Sequence, residues 1–146
     1  MVDYVSGRIQ REVRPDRITL AHSELSKQAD AVSEQVKRLR EVAEGQLREH
    51  RKEIVERQFQ QKRLSDAVSD VFAQVALLSR VTSILEDQGA EVSGQELFIA
   101  DTFCTRAAAR VHSALDQVES NDDERMVAIA KLALRRGSYG YALFED

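Results

Sequence analysis

The stretch LFIADTFCTRAAARV, residues 97 to 111, repeats apolar side chains at the spacing of an α-helix. The series extends beyond the stretch and comprises Leu97, Ala100, Cys104, Ala107, Val111, Ala114 and Val118. Steps of three and four residues place these side chains on one face of a helix, which favours packing against other helices. Because Cys104 belongs to the series, we interpret its thiol as a core group. A redox or nucleophilic thiol is the alternative, but His112 lies about 12 Å further along the helix axis, too far to activate it.

The whole chain of 146 residues has a composition that favours helices, since it contains only one proline and six glycines. A chain of this length forms one domain with a proper core. Its single cysteine cannot form an internal disulfide, so nothing indicates an oxidising compartment. No run of about 18 apolar residues predicts a membrane span, and the first residues lack the apolar centre of a signal peptide. We therefore predict an all-α soluble protein that, if it meets a membrane, lies on the surface.

A first long helix is predicted to begin near His22, where that side chain or Ser23 can cap it, and to end in a turn at about residues 51–56. Its apolar face comprises Leu25, Ala29, Val32, Val36, Leu39, Ala43 and Leu47. The opposite face is rich in charged residues and glutamine, which is typical of a solvated surface.

A second helix is predicted from about Arg57 to Asp87, and its many apolar positions predict the most buried element of the chain. Its main face comprises Leu64, Val68, Val71, Val75, Leu78, Thr82 and Leu85, widened by Phe72, Leu77, Val81 and Ile84. Beside this face run the small residues Ser65, Ser69, Ala76, Ser79 and Ser83. We expect these small side chains to let the third helix approach closely at the three alanines of residues 107–109.

The third helix contains residues 97–118 and is preceded by Ser93 and Glu96 at the spacing of a capping box. A fourth helix follows the acidic stretch SNDDE, residues 120–124, whose side chains suit a helix amino terminus. Its apolar face comprises Met126, Ile129, Ala130 and Ala133. Gly137 then provides a natural stop. Four helices with short turns predict an antiparallel, up-and-down four-helix bundle.

Residues 1–20 are predicted to form a short linker or docking segment ahead of a bundle domain of residues 21–146. One helical face of this segment comprises Val2, Val5, Ile9 and Val13, with Arg8, Arg11 and Arg14 beside it. Pro15 ends this short helix. Because acidic residues largely offset the arginines, a docking or linker helix is favoured over a membrane anchor.

Apolar residues outside the predicted core form candidate interfaces. Phe98, Ile99 and Phe103 adjoin the apolar face of the third helix, and the tail SYGYALFED, residues 138–146, adds aromatic residues that the helices do not require. Large apolar groups left outside a core tend to form interaction patches in which aromatic side chains dominate. The complete set of interface candidates is Val5, Arg8, Ile9, Phe98, Ile99, Phe103, Tyr139, Tyr141 and Phe144. The alternative is a tail that folds back over Phe98 and Phe103.

No residue pattern predicts a catalytic, cofactor-binding or metal site in this chain. His22, His50 and His112 lack the spacing of a zinc site, and residues 120–124 lack the spacing of a calcium loop. No glycine-rich loop lies between a strand and a helix to hold a dinucleotide. The chain has 21 basic and 25 acidic residues, and this acidic balance disfavours nucleic-acid binding because phosphates require clustered basic charge.

Four short patterns together resemble the C-terminal extension of very-long-chain acyl-CoA dehydrogenases. They comprise His22, Glu24, Leu25 and Ser26; Gln58, Leu64 and Asp66; Leu78, Ser79 and Arg80; and Asp101, Cys104, Ala107, Ala108 and Arg110. Each pattern is weak alone, and the set covers roughly residues 20–137. The sequence departs from the family pattern at Ser23, Glu53, Ser65 and Ala100, where the family has proline, glycine, alanine and cysteine.

This resemblance implies an accessory helical domain of an FAD-dependent enzyme of fatty-acid β-oxidation. In the family, FAD oxidises the α,β-bond of a long acyl-CoA thioester while a glutamate removes the α-proton, and these groups lie in an upstream dehydrogenase portion. The extension is then not itself catalytic. It serves assembly, docking to that portion or to a second subunit, or association with a membrane surface. A self-standing helical-bundle interaction protein is the alternative. The expected location is the cytoplasm, or the mitochondrial matrix in a eukaryote.

Overall fold

The computed structural model describes residues 17–91 and 93–137, and over those ranges the chain forms helices and no strand. Four long helices follow one another: α1 (Ser26–His50), α2 (Gln58–Gln88), α3 (Gly94–Glu119) and α4 (Asp123–Arg136). Two short 3-10 helices, Ser23–Leu25 and Arg51–Glu56, lie before and after α1. The predicted all-α fold of four long helices is confirmed, as is the turn at residues 51–56. Of the predicted linker or docking segment, residues 1–20, the first 16 residues lie outside the described residues.

Side-chain contacts show that α1, α2 and α3 alternate in direction. The contacts from α2 are Gln74–Gln35 and Thr82–His22 toward α1, and Asp70–Arg110 and Arg63–Asp123 toward α3 and the start of α4. In each pair of contacts the residue number rises along one helix as it falls along the other. The three helices are therefore packed up and down, as their short connections predicted.

The core lies between α1, α2 and α3. Its buried apolar residues are Leu25, Ala29, Val32 and Val42 in or just before α1; Ala67, Val71, Leu78, Val81 and Leu85 on α2; and Ala100, Cys104, Ala107, Val111, Leu115 and Val118 on α3. Ala67, Ala100 and Ala107 are fully buried, and such small side chains allow helix axes to approach closely. The face of α3 predicted from its periodicity therefore packs into the core.

On α2 the structure corrects the predicted burial. Val68, Phe72 and Val75 are exposed, and Phe72 is 73% accessible. The small residues Ser65, Ser69, Ala76, Ser79 and Ser83 are also exposed, and Ser69 borders Ala109 of α3 across a shared groove. The reason is geometric, because α1 and α3 cover one side of α2 while its apolar residues recur on several sides. Of the residues predicted to widen the buried face, Val81 is buried and Leu77 and Ile84 are partly buried, whereas Phe72 is exposed.

Among the described residues, α2 is the one helix that is long and apolar enough to cross a membrane, judged by length and composition. Core helices of soluble proteins pass the same test, and α2 buries the polar side chain of Gln74 against α1. We therefore interpret α2 as a core helix with one exposed apolar side.

Along its length α1 changes the side that it turns toward the core. Ala29 and Val32 are buried as predicted, but Leu47 is exposed, and Val42 and Gln46 are buried near the helix end. At that end α1 borders the last turn of α3 and the first turn of α2, across a shared cleft. Its neighbours there lie on a different side, so the predicted apolar face does not hold over the last turn.

The apolar face of α4 lies outside the core. None of its residues is buried, and Met126, Ile129 and Ala130 of the predicted face are exposed. The Arg63 guanidinium of α2 holds the amino end of α4 through two hydrogen bonds of 2.6 Å to Asp123, and these bonds lower the pKa of that carboxyl. Packing of this face into the core was predicted and is wrong, since the core is formed by α1, α2 and α3 while α4 is held through Asp123 at its amino end.

Two helix ends are formed as predicted. His22 Nδ1 accepts a hydrogen bond of 3.3 Å from the backbone N–H of Glu24 and so caps the start of the first helical segment. Gly137 ends α4 in the left-handed region, with a φ of 72°, a conformation that glycine adopts at little cost.

The capping box predicted ahead of α3 is absent. Ser93 is fully buried, and its hydroxyl donates to the carbonyl of Gly89 at 3.0 Å while making no cap with the helix. Gly89 ends α2 with a φ of 82°. The serine hydroxyl therefore binds the carbonyl of Gly89 in the loop, and the pairing expected with Glu96 does not form.

Two buried glutamines join α1 to α2. Gln74 Nε2 donates to Gln35 Oε1 at 2.8 Å, and Gln35 Nε2 donates back to Gln74 Oε1 at 3.3 Å. Each amide also donates at 3.2 Å to the carbonyl one turn earlier, that of Asp70 or Ala31. Both side chains are almost completely buried, so these partners replace the water that each amide loses on folding.

Replacing one glutamine of this pair should cost more stability than replacing both. We expect Gln74→Leu to lower the free energy of unfolding by about 1–3 kcal/mol, because it leaves the buried Gln35 amide without its partner. The double variant Gln35→Leu/Gln74→Leu removes both polar groups and should recover most of that loss. Urea unfolding of the wild type, Gln74→Leu, Gln35→Leu and the double variant gives the coupling energy. Losses that simply add in the double variant would contradict the paired arrangement.

Candidate docking surfaces

The amino-terminal part of α3 presents apolar side chains that the sequence predicted as interface candidates. Phe98 is 72% and Ile99 47% accessible, whereas Phe103 is partly buried. The first two are exposed because the helix turns Ala100 and Cys104 into the core, which directs the adjoining positions outward. Phe98 and Ile99 together are called the α3 patch.

Six further interface candidates lie outside the described residues. They are Val5, Arg8, Ile9, Tyr139, Tyr141 and Phe144. Their role stays a prediction, as does the alternative in which the tail of residues 138–146 covers Phe98 and Phe103.

A second apolar surface lies on α2, where the sequence pattern had predicted core. Val68, Phe72 and Val75 follow one another at steps of four and three residues and are called the α2 strip. Leu20, which is 90% accessible, lies beside the strip and lines a groove of about 300 Å³ together with Val75. In the sequence, this surface is indicated by the number of apolar positions on α2, which is larger than one buried face can hold.

A third apolar surface lies on α4. It comprises Met126, Val127, Ile129, Leu132 and Leu134 and is called the α4 strip. The helix carries Asp123 and Glu124 in its first turn and Arg135 and Arg136 in its last, an arrangement that complements the helix dipole. These charges stabilise α4 from within, while its apolar side chains remain available for contact.

Cys104 lies in the core, as its spacing predicted. The side chain is 5% accessible, and burial, with a smaller contribution from Asp101, raises the pKa of the thiol to about 11. A reactive cysteine requires a shift in the opposite direction, toward a stabilised thiolate. His112 contacts Arg38 at 2.8 Å and does not serve as a base for the thiol. The geometry therefore supports a packing role.

The residues of α3 that carry the family resemblance attach this helix to its neighbours. Asp101 accepts a hydrogen bond of 2.8 Å from Gln28 of α1. Arg110 donates from two nitrogen atoms to Asp70 of α2, with a shortest distance of 2.6 Å. Cys104 fills the core between these two contacts. The pattern thus specifies packing on both of the other core helices.

Within residues 17–91 and 93–137, no group of three or more histidine, cysteine and acidic side chains is arranged to hold a metal ion. The residues with unusual environments, Cys104 and the Arg63–Asp123 pair, serve packing and helix attachment. Fold and surface together define a class: a helical-bundle domain with uncovered apolar surfaces on three of its helices.

Comparison with known proteins specifies the family. A family model described as ACAD9/ACADV, C-terminal domain, matches residues 23–139, and the chain belongs to this family. The chain is similar to the very long-chain specific acyl-CoA dehydrogenase, mitochondrial, of Homo sapiens (31% identical), Macaca fascicularis (30%) and Bos taurus (28%), each over 123 residues. These alignments cover 81% of this chain and 19% of each relative, so the chain spans about a fifth of their length.

The buried thiol should resist modification until the protein unfolds. We expect Cys104 to react with iodoacetamide at neutral pH only after denaturant is added, because the folded core excludes the reagent and disfavours the thiolate. Cys104→Ala should cost about 1 kcal/mol of stability through the small cavity that it leaves. Labelling followed by mass spectrometry, with urea unfolding of the variant, measures both effects. Rapid labelling of the folded chain would favour a reactive thiol.

The raised pKa of Cys104 should also make stability depend on pH in alkaline solution. In the unfolded chain the thiol ionises near its ordinary pKa of 9.0, whereas the folded chain retains the proton up to about 11. Between these values the unfolded state binds fewer protons, so stability should fall as the pH rises from 9 to 11. Thermal melting across this window should show a steeper decline for the wild type than for Cys104→Ala. Equal declines would contradict the role of the thiol.

Proposed function

We propose that this chain is the accessory C-terminal helical domain of a long-chain or very-long-chain acyl-CoA dehydrogenase and that it serves assembly. The family match over residues 23–139 carries the proposal, together with relatives named as very long-chain specific acyl-CoA dehydrogenases. The α3 patch supports it, because uncovered aromatic and aliphatic side chains are stabilised by docking. The proposed partner is the dehydrogenase portion or a second subunit, and a peripheral membrane surface is a further contact.

The proposed parent enzyme uses FAD, but the cleft at the end of α1 does not fit that cofactor. It is lined by five carboxylates, against two arginines and one histidine. Such a surface repels the diphosphate of FAD. Gly45 lies in the same cleft, but a side chain there would contact nothing within 4 Å, so it does not mark a close approach to a ligand. We therefore assign the flavin, the catalytic glutamate and the acyl pocket to the dehydrogenase portion.

We further propose that residues 1–20 act as a linker or docking segment and residues 21–146 as the bundle domain. Arg17 and Ile18, at the end of the segment, already contact α1 through Asp30 and Ser33, which supports docking over a free linker. The names of the relatives include a mitochondrial location. For this chain we propose the mitochondrial matrix in a eukaryotic cell and the cytoplasm otherwise.

A charged substitution in the α3 patch should abolish association without unfolding the domain. We expect the wild-type chain to self-associate at high concentration and Phe98→Asp to sediment as a monomer, since a carboxylate is excluded from an apolar contact. Its melting temperature should change little, because Phe98 is mostly exposed. Ser113→Asp, at an exposed position about 22 Å further along the same helix, is the matched control, because it adds the same charge away from the α3 patch and keeps the Phe98 ring. Analytical ultracentrifugation and thermal melting are the measurements.

The opposite pattern would contradict this docking surface. If Phe98→Asp lowers the melting temperature sharply while sedimentation stays unchanged, the ring belongs to the core of the whole chain, under the tail. Loss of association in Ser113→Asp as well would show that added charge, and not loss of the apolar patch, separates the molecules.

The assignment of the chemistry to another portion predicts that the purified chain is colourless and inert. We expect no flavin absorbance and no oxidation of acyl-CoA in the presence of an artificial electron acceptor. Stoichiometric bound flavin in the spectrum of the chain as purified would overturn the assignment. Sequencing upstream of Met1 separates this proposal from a self-standing interaction protein, since a reading frame that continues into a dehydrogenase is expected only for the former.

A further inference from the structure

An acidic cleft opens where the carboxyl ends of α1 and α3 meet the first turns of α2 and α4. It has a volume of about 610 Å³, is called the acidic cleft, and carries the carboxylates of Glu49, Glu119, Asp122, Asp123 and Glu124. The last three suit the amino end of α4, where the helix dipole stabilises negative charge. Glu49 and Glu119 lie in the last turns of α1 and α3, where the dipole disfavours a carboxylate. Helix stability therefore does not explain the negative charge of the cleft.

This negative charge is compensated only in part within the described residues. Asp122 and Asp123 are bound by arginines at 3.1 and 2.6 Å. Glu119 and Glu124 form no ion pair with any described residue, and Arg57, which also lines the cleft, forms none either. A cation is therefore the ligand whose charge complements the site.

The buried amide of Gln46 indicates a ligand that donates hydrogen bonds. This residue lines the cleft, is 7% accessible, and has no hydrogen-bond partner for its Oε1 atom. A buried acceptor without a donor is costly, so a ligand that supplies an N–H to it is favoured. The cleft thus combines an acceptor that lacks a donor with carboxylates that lack a cation.

An organic cation with several N–H groups meets both requirements. Within residues 17–91 and 93–137, no three acidic or histidine side chains are arranged to hold a metal ion. A guanidinium is planar and has five N–H donors, so it can bind a carboxylate and the Gln46 oxygen together. Val42 and Val118 also line the cleft, where they can contact the apolar stem of an arginine.

We propose that the acidic cleft binds an arginine side chain of a protein partner. Asp123, on the wall of the cleft, already binds a guanidinium in this way, since it accepts two hydrogen bonds of 2.6 Å from Arg63. A free polyamine has similar charge but lacks the planar pair of donors. Binding here depends on the carboxylates and on Gln46, so it is independent of the α3 patch and of the proposed dehydrogenase function.

Titration of the full chain, labelled with ¹⁵N, with Nα-acetyl-arginine amide tests the site. We expect the NMR signals of cleft residues such as Gly45 and Asn121 to shift until the site is saturated. Nα-acetyl-citrulline amide is the matched probe, because it has the same length but no charge, and it should cause no such shifts. A peptide of three arginines should bind more tightly than spermidine, which carries the same total charge.

Substitutions locate the site and separate charge from hydrogen bonding. Glu119→Gln and Glu124→Gln should each weaken binding of the arginine amide roughly two- to fivefold, because each removes one exposed charge. Glu86→Gln makes the same change about 39 Å from Gln60 along α2 and should leave the affinity unchanged. Gln46→Leu retains every charge but removes the acceptor, so it should weaken binding roughly tenfold.

Four outcomes overturn the proposal. Equal binding of the citrulline probe would show that charge plays no part, and equal weakening by Glu86→Gln would show only a general attraction to an acidic protein. Tighter binding of spermidine than of the arginine peptide would assign the cleft to a free polyamine. An unchanged affinity in Gln46→Leu, with its helices retained by circular dichroism, would remove the amide from the site. Positions 119 and 124 are exposed, so their variants test the cleft without disturbing the core.

Discussion

The paired amides of Gln35 and Gln74 set the register on which the rest of the bundle depends. A shift of one residue would separate donor from acceptor where no water can replace them, at a cost of a few kcal/mol. Apolar contacts between α1 and α2 tolerate such a shift better, since they have no direction. With the register set, Thr82 and Ser33 meet the backbone ahead of α1, and the start of the described chain is held along one groove.

Polar contacts at the edges of α3, and small residues at the centre of its buried face, attach this helix to α1 and α2. The exposed contacts of Asp101 and Arg110 add little stability, because water and salt screen them, but they select one orientation of the helix. Burial of Ala100, Cys104 and Ala107 supplies the apolar contact between them. A set of residues that marks a family of dehydrogenase domains thus specifies how one helix packs. These residues therefore mark the family through helix packing, although we assign no catalytic role to this chain.

Features that act within one helix could be predicted from the sequence, and features that depend on the number of neighbours could not. The helix limits could be predicted from helix-breaking residues, and the burial of Cys104 could be predicted from the spacing of apolar residues. Both signals lie within one helix. Val71 and Phe72 are adjacent and equally apolar, yet one is buried and the other exposed, because α1 and α3 cover only one side of α2. The exposure of Phe98 was predicted because the face of α3 is narrow. The α2 strip was missed because α2 is apolar on several sides.

The three uncovered apolar surfaces have a common physical origin in the way that α4 is attached. The pair of Arg63 and Asp123 holds one end of this helix, and its side chains leave the sides of α1, α2 and α3 largely free. The core is therefore made by three helices, and the apolar residues that a fourth would have covered remain exposed. Uncovered apolar surfaces of this kind are the usual sites at which a domain contacts a partner, which agrees with the assembly role proposed for this chain.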